Sequence, residues 1–438
     1  MNRFLLAFVA VHFLLFAAPA GRGQAPTSNS VPSSTIASVK ITGAKKIPTD
    51  QIIAASGLKA GEVVTAAQIQ DATNRLAALG VFSAVNFRYT SKGAAIDLEF
   101  QIQEAPTYPM EFDNFPWFTA AEIGDAISSQ VGLFTGEAPA DGTIIDQMTA
   151  AIGNLLLSKN IKGSVTHQLL AAPVGDGMVM QFRVESLKLR VQSVQFGDSV
   201  ATSSERLKDR VPDIKGQPYS LFATEVFENE QVRPLYASQG FLKAQIGPPQ
   251  AQLIPDVNNP KETAVALSIP IVPGPVYSWK GVSWQGNMAL PSTGLDSISD
   301  LKPGDLADGM KIEALWQKIE TEYGRRGYLD MKLDAQPQID DGTHQITYRV
   351  TIIEGPQYRM GELVITGLSL DAEKRLRQAW QISPGQIFDS GYYESRMKLL
   401  SKPSRDIFGE LPVHYNDFGH LLRPDTSRHT VDVLMDFK

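Results

Sequence analysis

The sequence predicts an α+β protein made of tandem small domains, each running strand, helix, helix, strand, strand. Three observations carry that prediction. The same order of hydrophobic patterns returns five times along the 438 residues. A glycine followed by an acid or amide recurs at corresponding places: Gly61-Glu62, Gly136-Glu137, Gly216-Gln217, Gly304-Asp305 and Gly385-Gln386. A helix-ending glycine with a hydrophobic successor recurs as Gly80, Gly240 and Gly327, where glycine tolerates the left-handed conformation that follows a helix. Each copy is expected to be a three-stranded mixed sheet covered by two helices. The period of roughly 70 to 90 residues exceeds that of solenoid repeats, so each copy should be a small domain.

At the start of the chain, Asn2-Arg3 is a short basic region and Phe4 to Ala18 an apolar run. That run is shorter than the ~20 residues of a spanning helix. Ala18-Pro-Ala20 offers a small-x-small cleavage pattern, so residues 1–20 read as a signal peptide. Residues 21–35, rich in Pro, Ser, Thr and Ala, read as a flexible leader. The chain has no cysteine, which leaves neither a lipid-bearing cysteine nor a disulfide framework. An exported, periplasmic protein without a membrane span is the expectation. Apolar residues at 43% and charged residues at 20% fit a folded protein, and a net charge of −7 argues against a nucleic-acid array.

The first copy, residues 36–106, alternates as a strand from Ile36 to Thr42. Helices follow at Thr49 to Ser56 and Thr65 to Leu79, then strands at Val85 to Tyr89 and Ile96 to Ile102. The second, 107–188, is degenerate. It keeps Gly136-Glu137, a helix from Thr143 to Leu157 and two strands, but has Asn160-Ile161 at the helix stop. Asparagine is the next most tolerant residue there. The third, 189–275, has helices at Ser204–Val211 and Leu221–Ser238, and strands on either side of Asn258-Asn-Pro260. The fourth, 276–356, is the clearest. Ile312, Leu315, Trp316, Ile319 and Tyr323 stand at helical spacing, Gly327 stops the helix, and a hairpin turns at Asp340-Asp-Gly342. The fifth, 357–438, has a helix at Ser390–Leu400 and a last strand from Thr430 to Phe437.

The tracts Leu76-Ala-Ala-Leu-Gly80-Val-Phe82, Leu235 to Leu242 and Glu320 to Leu329, with the closings Glu104-Ala-Pro106 and Glu354-Gly-Pro356, carry a family resemblance. In their order and repetition they resemble the POTRA domains of BamA-type outer-membrane assembly proteins. The resemblance implies a non-enzymatic periplasmic array in outer-membrane protein assembly or translocation. Its partners would be unfolded outer-membrane proteins or assembly-machinery components. That family carries a membrane barrel of many alternating strands, whereas this sequence ends at the last strand of the fifth copy. An accessory role beside a separately encoded barrel protein is therefore the expectation.

A three-stranded sheet leaves edges whose free N–H and C=O groups can accept another chain's strand. The family's layout puts the strand after the helix pair at an edge. Here those strands are Val85–Tyr89, Val165–Leu170, Ala244–Leu253, Met331–Ile339 and Leu411–Tyr415. The candidate partner-binding residues are Val85, Phe87, Tyr89, Val165, His167, Met331 and Leu333. Against this stands blunting of the edges by Lys332, Asp334 and Pro248-Pro249, which would leave a structural spacer of the cell envelope.

No catalytic, metal or cofactor-binding residues are assigned. His414, His420 and His429 with Asp417 straddle several elements and lack zinc-like spacing. Ser395-Arg-Met-Lys398 has none of the companion motifs of a nucleophile site. Asp340-Asp341 reads as turn chemistry and Arg325-Arg326 as a solvated helix end. Trp279, Trp284, Trp316 and Trp380 read as core or packing residues.

Overall fold

The computed structural model describes residues 33–173, 175–254, 263–401, 415 and 417–438. The expected signal peptide, most of the leader, the Asn258-Asn-Pro260 turn, His414 and most of the Leu411–Tyr415 strand lie outside them.

The first repeat holds β1 (Ser33–Thr42), α1 (Thr49–Ser56), β2 (Val63–Thr65), α2 (Ala66–Ala77), β3 (Phe82–Lys92) and β4 (Ala95–Glu104). The second holds β5 (Thr107–Tyr108), β6 (Met110–Phe112), α3 (Ala120–Gln130), β7 (Ala138–Pro139), α4 (Thr143–Ser158), β8 (Ser164–Ala171) and β9 (Met178–Glu185). The third runs β10 (Leu189–Phe196), α5 (Ser199–Ser203), α6 (Glu205–Arg210), α7 (Leu221–Phe227), a π-helical segment at Glu228–Val232, and α8 (Arg233–Ser238). It ends with β11 (Gln245–Ile246), β12 (Gln250–Ile254), β13 (Thr263–Ile269) and β14 (Ile271–Val272). The fourth has β15 (Ser278–Gln285), α9 (Ser292–Asp296), α10 (Gly309–Arg325), β16 (Lys332–Asp340) and β17 (Gln345–Ile353). The fifth has β18 (Arg359–Thr366), α11 (Leu370–Ala379), α12 (Ser390–Leu400), β19 (Phe418–Asp425) and β20 (Thr430–Phe437).

In the strand orders β10-β13-β12, β15-β17-β16 and β18-β20-β19 the last long strand of the repeat is central, and β14 pairs separately with β11. The central strand pairs in parallel with the first strand and antiparallel with the strand after the helices. The first repeat adds a fourth strand, in the order β2-β1-β4-β3. The chain divides into two compact units, Met1–Pro109 with Asp125–Ala151, and Met110–Gly124 with Ile152–Lys438.

Local chemistry explains most of the elements. Thr65 and Gln68 form a capping box at the start of α2. Asp308 Oδ1 accepts from the backbone N–H groups of Met310 and Lys311 at the start of α10, and all five apolar residues expected on its inner face are buried. The single helix expected over Leu221–Ser238 is instead interrupted. Pro234 has no N–H to donate back into the helix, and the π-helical segment precedes it.

The two glycine motifs do different work. Gly61, Gly216, Gly304 and Gly385 donate to the carbonyls of Ile36, Val191, Trp279 and Met360 in the first strand of their repeats, at 2.7–2.8 Å. The next residue's carbonyl accepts the N–H of the same strand residue. The side chains of Glu62, Asp305 and Gln386 each accept the backbone N–H three residues upstream. A polar successor is thus the acceptor that closes the turn. Each contact falls at a bulge in the first strand, between Ile36 and Ser38, Val191 and Ser193, Trp279 and Gly281, and Met360 and Leu363.

The helix-stop glycines instead abut the next repeat. Gly327 has φ +82°, its carbonyl accepts from Tyr358 N–H at 2.7 Å, and a Cβ there would lie 2.6 Å from the Tyr358 oxygen. Asn160, the substitute in the second repeat, also takes a left-handed φ of +59°. Ile161 N–H donates to Leu156 as Tyr328 does to Tyr323, so the cap survives the change of residue. Gly61 has a similar φ of +87° but open space around it. Gly61→Ala is therefore expected to cost about 1 kcal/mol in backbone strain. Gly327→Ala is expected to cost about 2 kcal/mol, because the Tyr358 backbone must also move. Urea midpoints of the two variants check the difference.

Candidate binding edges

The closing glutamates hold the sheet end in place. Glu104 Oε1 accepts from the N–H groups of Lys45, Lys46 and Ile47 at 2.8–3.0 Å. Glu354 Oε1 accepts from Ala289 N–H and the Tyr323 hydroxyl. In both repeats the carboxylate pins the loop after the first strand, which frames the sheet whose far side is the candidate edge.

β3, β8, β12, β16 and β19 each end a sheet in the strand order. The direction of their outer backbone groups follows from the hairpins. Lys92 pairs with Ala95 across a two-residue turn, and the pair closing such a turn exchanges hydrogen bonds. Counting back by twos, Tyr89, Phe87 and Val85 turn their N–H and C=O groups away from β4. In β8, Ala172 N–H donates to Gly177, so Leu169, His167 and Val165 are the outward positions. By the same count from Asp340 opposite Gln345, Leu333, Ala335 and Pro337 point outward in β16. From Asp425 opposite Thr430, Pro424 points outward in β19.

This separates the edges. β16 and β19 carry proline where an incoming strand would need an N–H. β12 is preceded by Gly247-Pro248-Pro249, which splits the strand expected over Ala244–Leu253 into β11 and β12. β3 and β8 contain no proline over 11 and 8 residues. Val85, Phe87 and Tyr89 lie opposite Ile102, Phe100 and Leu98, all buried. Val165 and His167 lie opposite the buried Val184 and Phe182. The outward backbone positions therefore share the apolar face, and an added strand would place alternate side chains along the rim of the core. On the opposite face, the Arg88 guanidinium holds the Glu99 carboxyl below its ordinary range.

One expected position shifts. Met331 precedes β16, which starts at Lys332; its N–H is spent on Tyr328, which folds back after the helix stop. In the fifth repeat β19, Phe418–Asp425, ends the sheet; of the expected Leu411–Tyr415 strand only Tyr415 lies within the described residues. Phe418 packs against Tyr415 and Phe437 there.

The sequence reading missed the chemistry of the junctions. Asp113 is fully buried; its Oδ1 accepts from Ser220 Oγ at 2.6 Å and Phe222 N–H at 2.9 Å, and its Oδ2 from Arg183 at 2.7 Å. It thereby caps α7 from the second repeat. Asn114 continues the ladder through both bonds to Val184. Asp341 goes beyond turn chemistry, accepting from Lys243 Nζ and the Tyr277 hydroxyl across the third and fourth repeats. Tyr358 likewise donates to Asp330 between the fourth and fifth. Burial pushes Glu111 and Glu228 up to about 7, and Glu225 upward as well. Glu111 keeps a hydrogen bond from Gln181, whereas Oε1 of Glu228 is buried without a partner. The two acids alternating with Met110 and Phe112, Glu111 and Asp113, were the sequence signal for this site.

Among the described residues no group of His, Asp or Glu is arranged to hold a metal ion, and no helix is long and apolar enough to cross a membrane. His420 Nδ1 instead sits 2.7 Å from the Tyr393 hydroxyl. Ser395 Oγ donates to its own helix at Tyr392. Trp279, Trp316 and Trp380 are buried, and Trp284 bonds Asp296. Arg326 pairs with Glu322 at the end of α10.

Residues 34–105 and 277–355 match the POTRA family, described as a surface antigen variable number repeat. A Treponema pallidum (strain Nichols) protein assigned provisionally as an outer membrane protein assembly factor is 20% identical over 265 residues, 59% of this chain and 30% of its own length. Outer membrane protein assembly factor BamA of Neisseria meningitidis serogroup B (strain ATCC BAA-335 / MC58) is 23% identical over 188 residues, 42% of this chain and 23% of its own. The chain thus spans less than a third of the length of these curated relatives. A crystal structure of BamA POTRA domains 3–5 from Haemophilus influenzae is 22% identical, with 57% of this chain and 96% of that one covered and a TM-score of 0.42. Two segments of the chain thus match POTRA domains, and the chain resembles the periplasmic part of BamA-type outer-membrane assembly proteins.

Proposed function

We propose that this chain is a non-enzymatic periplasmic array of five POTRA-like domains that takes part in outer-membrane protein assembly. It holds extended client or partner polypeptides by β-augmentation at β3 and β8. The observation that carries this reading is the placement of proline. The edges of the fourth and fifth repeats lose an outward N–H at Pro337 and Pro424, whereas β3 and β8 keep theirs beside apolar side chains. Backbone pairing asks little of the client's sequence, and alternate residues find the rim of the core. The partners are unfolded outer-membrane proteins, assembly-machinery components or a separately encoded barrel protein.

Phe87→Pro and Val165→Pro remove outward N–H groups without breaking the pairing to β4 or β9. Each is expected to weaken capture of a urea-denatured β-barrel precursor about tenfold, and the double variant more. Circular dichroism should stay at the level of the parent. Unchanged capture by the double variant would reject the reading. It would favour a spacer of the cell envelope, for which the Lys243–Asp341 and Tyr358–Asp330 contacts between neighbouring repeats supply the rigidity.

A further inference from the structure

A cleft of about 660 Å³ opens in the first compact unit, between α1, the end of α2 and the start of α4. Its walls are aliphatic: Ala54 and Ala55 on α1, Ala78 and Leu79 after α2, then Leu133 and Ile144. The backbone fixes this shape, because Thr143 N–H and Ile144 N–H donate to the carbonyls of Ala78 and Leu79. The start of α4 therefore docks onto the end of α2.

One cation borders the cleft. Arg75, in the last turn of α2, lays its guanidinium over Gly57, about where a Cβ would meet it at 3.5 Å. Arg75 makes no hydrogen bond or ion pair among the described residues, and Asp71 one turn earlier does not pair with it. No carboxylate lines the cleft; the other polar groups there are Gln51, Gln147 and Thr143.

We infer that this cleft binds a carboxylate amphiphile, a single anionic head on an aliphatic chain, as in a free fatty acid. The planar guanidinium fork matches a carboxylate in two parallel hydrogen bonds. One unpaired cation calls for one negative charge, and the absence of aromatic side chains from the wall suits a flexible alkyl body. The volume falls in the range of small-molecule sites, which are largely apolar with a few orienting polar groups.

Calorimetric titration of the full chain with sodium decanoate, below its micelle concentration and at low salt, tests this. Saturable one-to-one binding is expected, with decyltrimethylammonium and decyl maltoside at least about tenfold weaker. Arg75→Gln should weaken decanoate by a similar factor while the melting temperature stays put, because Arg75 bonds nothing in the fold. Ala78→Trp, which fills the cleft from an exposed position, should abolish binding. Absence of saturation, equal binding of the three ten-carbon amphiphiles, or decanoate binding indifferent to both substitutions would each overturn the inference.

Discussion

Asp113→Ala is expected to destabilise the second compact unit by about 3–5 kcal/mol, the range for breaking a buried, hydrogen-bonded charge pair. Three donors converge on this fully buried carboxylate: Arg183, Ser220 and the N–H of Phe222. Alanine takes from the half-buried Arg183 its 2.7 Å partner, leaving Glu185 at 3.9 Å, and leaves the start of α7 with fewer acceptors. Asp113→Asn should recover part of the loss, since one oxygen still accepts from Ser220 and Phe222 while its amide meets Arg183 donor to donor. Ser220→Ala removes one neutral partner and should cost about 1 kcal/mol. Urea unfolding of the three variants gives the order, and a cost for Asp113→Ala no larger than that of Ser220→Ala would refute the capping role.

The second large effect is on pH. Glu111 and Glu228 are buried, and burial is the main reason their carboxyls rise from 4.5 to about 7. For Glu111 the bond from Gln181 works against the rise, while the charges of Glu225 and Asp113 add to it. For Glu228 the Glu225 charge adds and Arg233 opposes. A carboxyl whose folded pKa lies above its unfolded value holds a proton in the fold that the unfolded chain releases. Stability therefore falls as pH rises from about 4.5 to about 7, and levels off above that. The change is about 3 kcal/mol per group. Carboxylates held low, such as Glu99 beside Arg88 and Asp97 beside Lys92 and Ser38, lose stability only on the acid side of this window. Scanning calorimetry between pH 5 and pH 8 should show a falling melting temperature. Glu111→Gln and Glu228→Gln should flatten the slope and raise stability at pH 8. A melting temperature that climbs over that range would contradict the assignment.

The same junction explains why the second repeat looks degenerate. Its strand parallel to β9, β6, is only three residues long, yet Asn114 extends the ladder through a side chain, and Asp113 spends its carboxylate on the next repeat. An alternating apolar strand would have been easier to recognise from sequence. It could not have capped α7.

The places where helices stop at Gly80, Gly240, Gly327 and Asn160, and the polar residues that close the turns at Glu62, Asp305 and Gln386, were legible in the sequence. All of these are local effects. A left-handed φ needs glycine or asparagine, a turn needs an acceptor three residues away, and alternation follows the pleat. The limits of the reading were also local, as at Pro234, where a missing N–H converts one expected helix into α7, a π-helical segment and α8. The short strand β2 likewise forms because residues 63–65 happen to lie beside the start of β1.

Tertiary structure alone decided which edges keep outward N–H groups, which glycines touch a neighbouring repeat, and which acids are buried. Gly61 and Gly327 share a backbone conformation, but only Gly327 has Tyr358 against it. Asp340 and Asp341 are adjacent, yet one closes a turn and the other receives Lys243 and Tyr277 from beyond its own hairpin. Proximity between residues far apart in sequence depends on how whole elements pack, and no local pattern encodes it. The sequence determined the local turns and helix stops; the packing of distant elements determined which carboxylates are buried and which glycines meet another backbone.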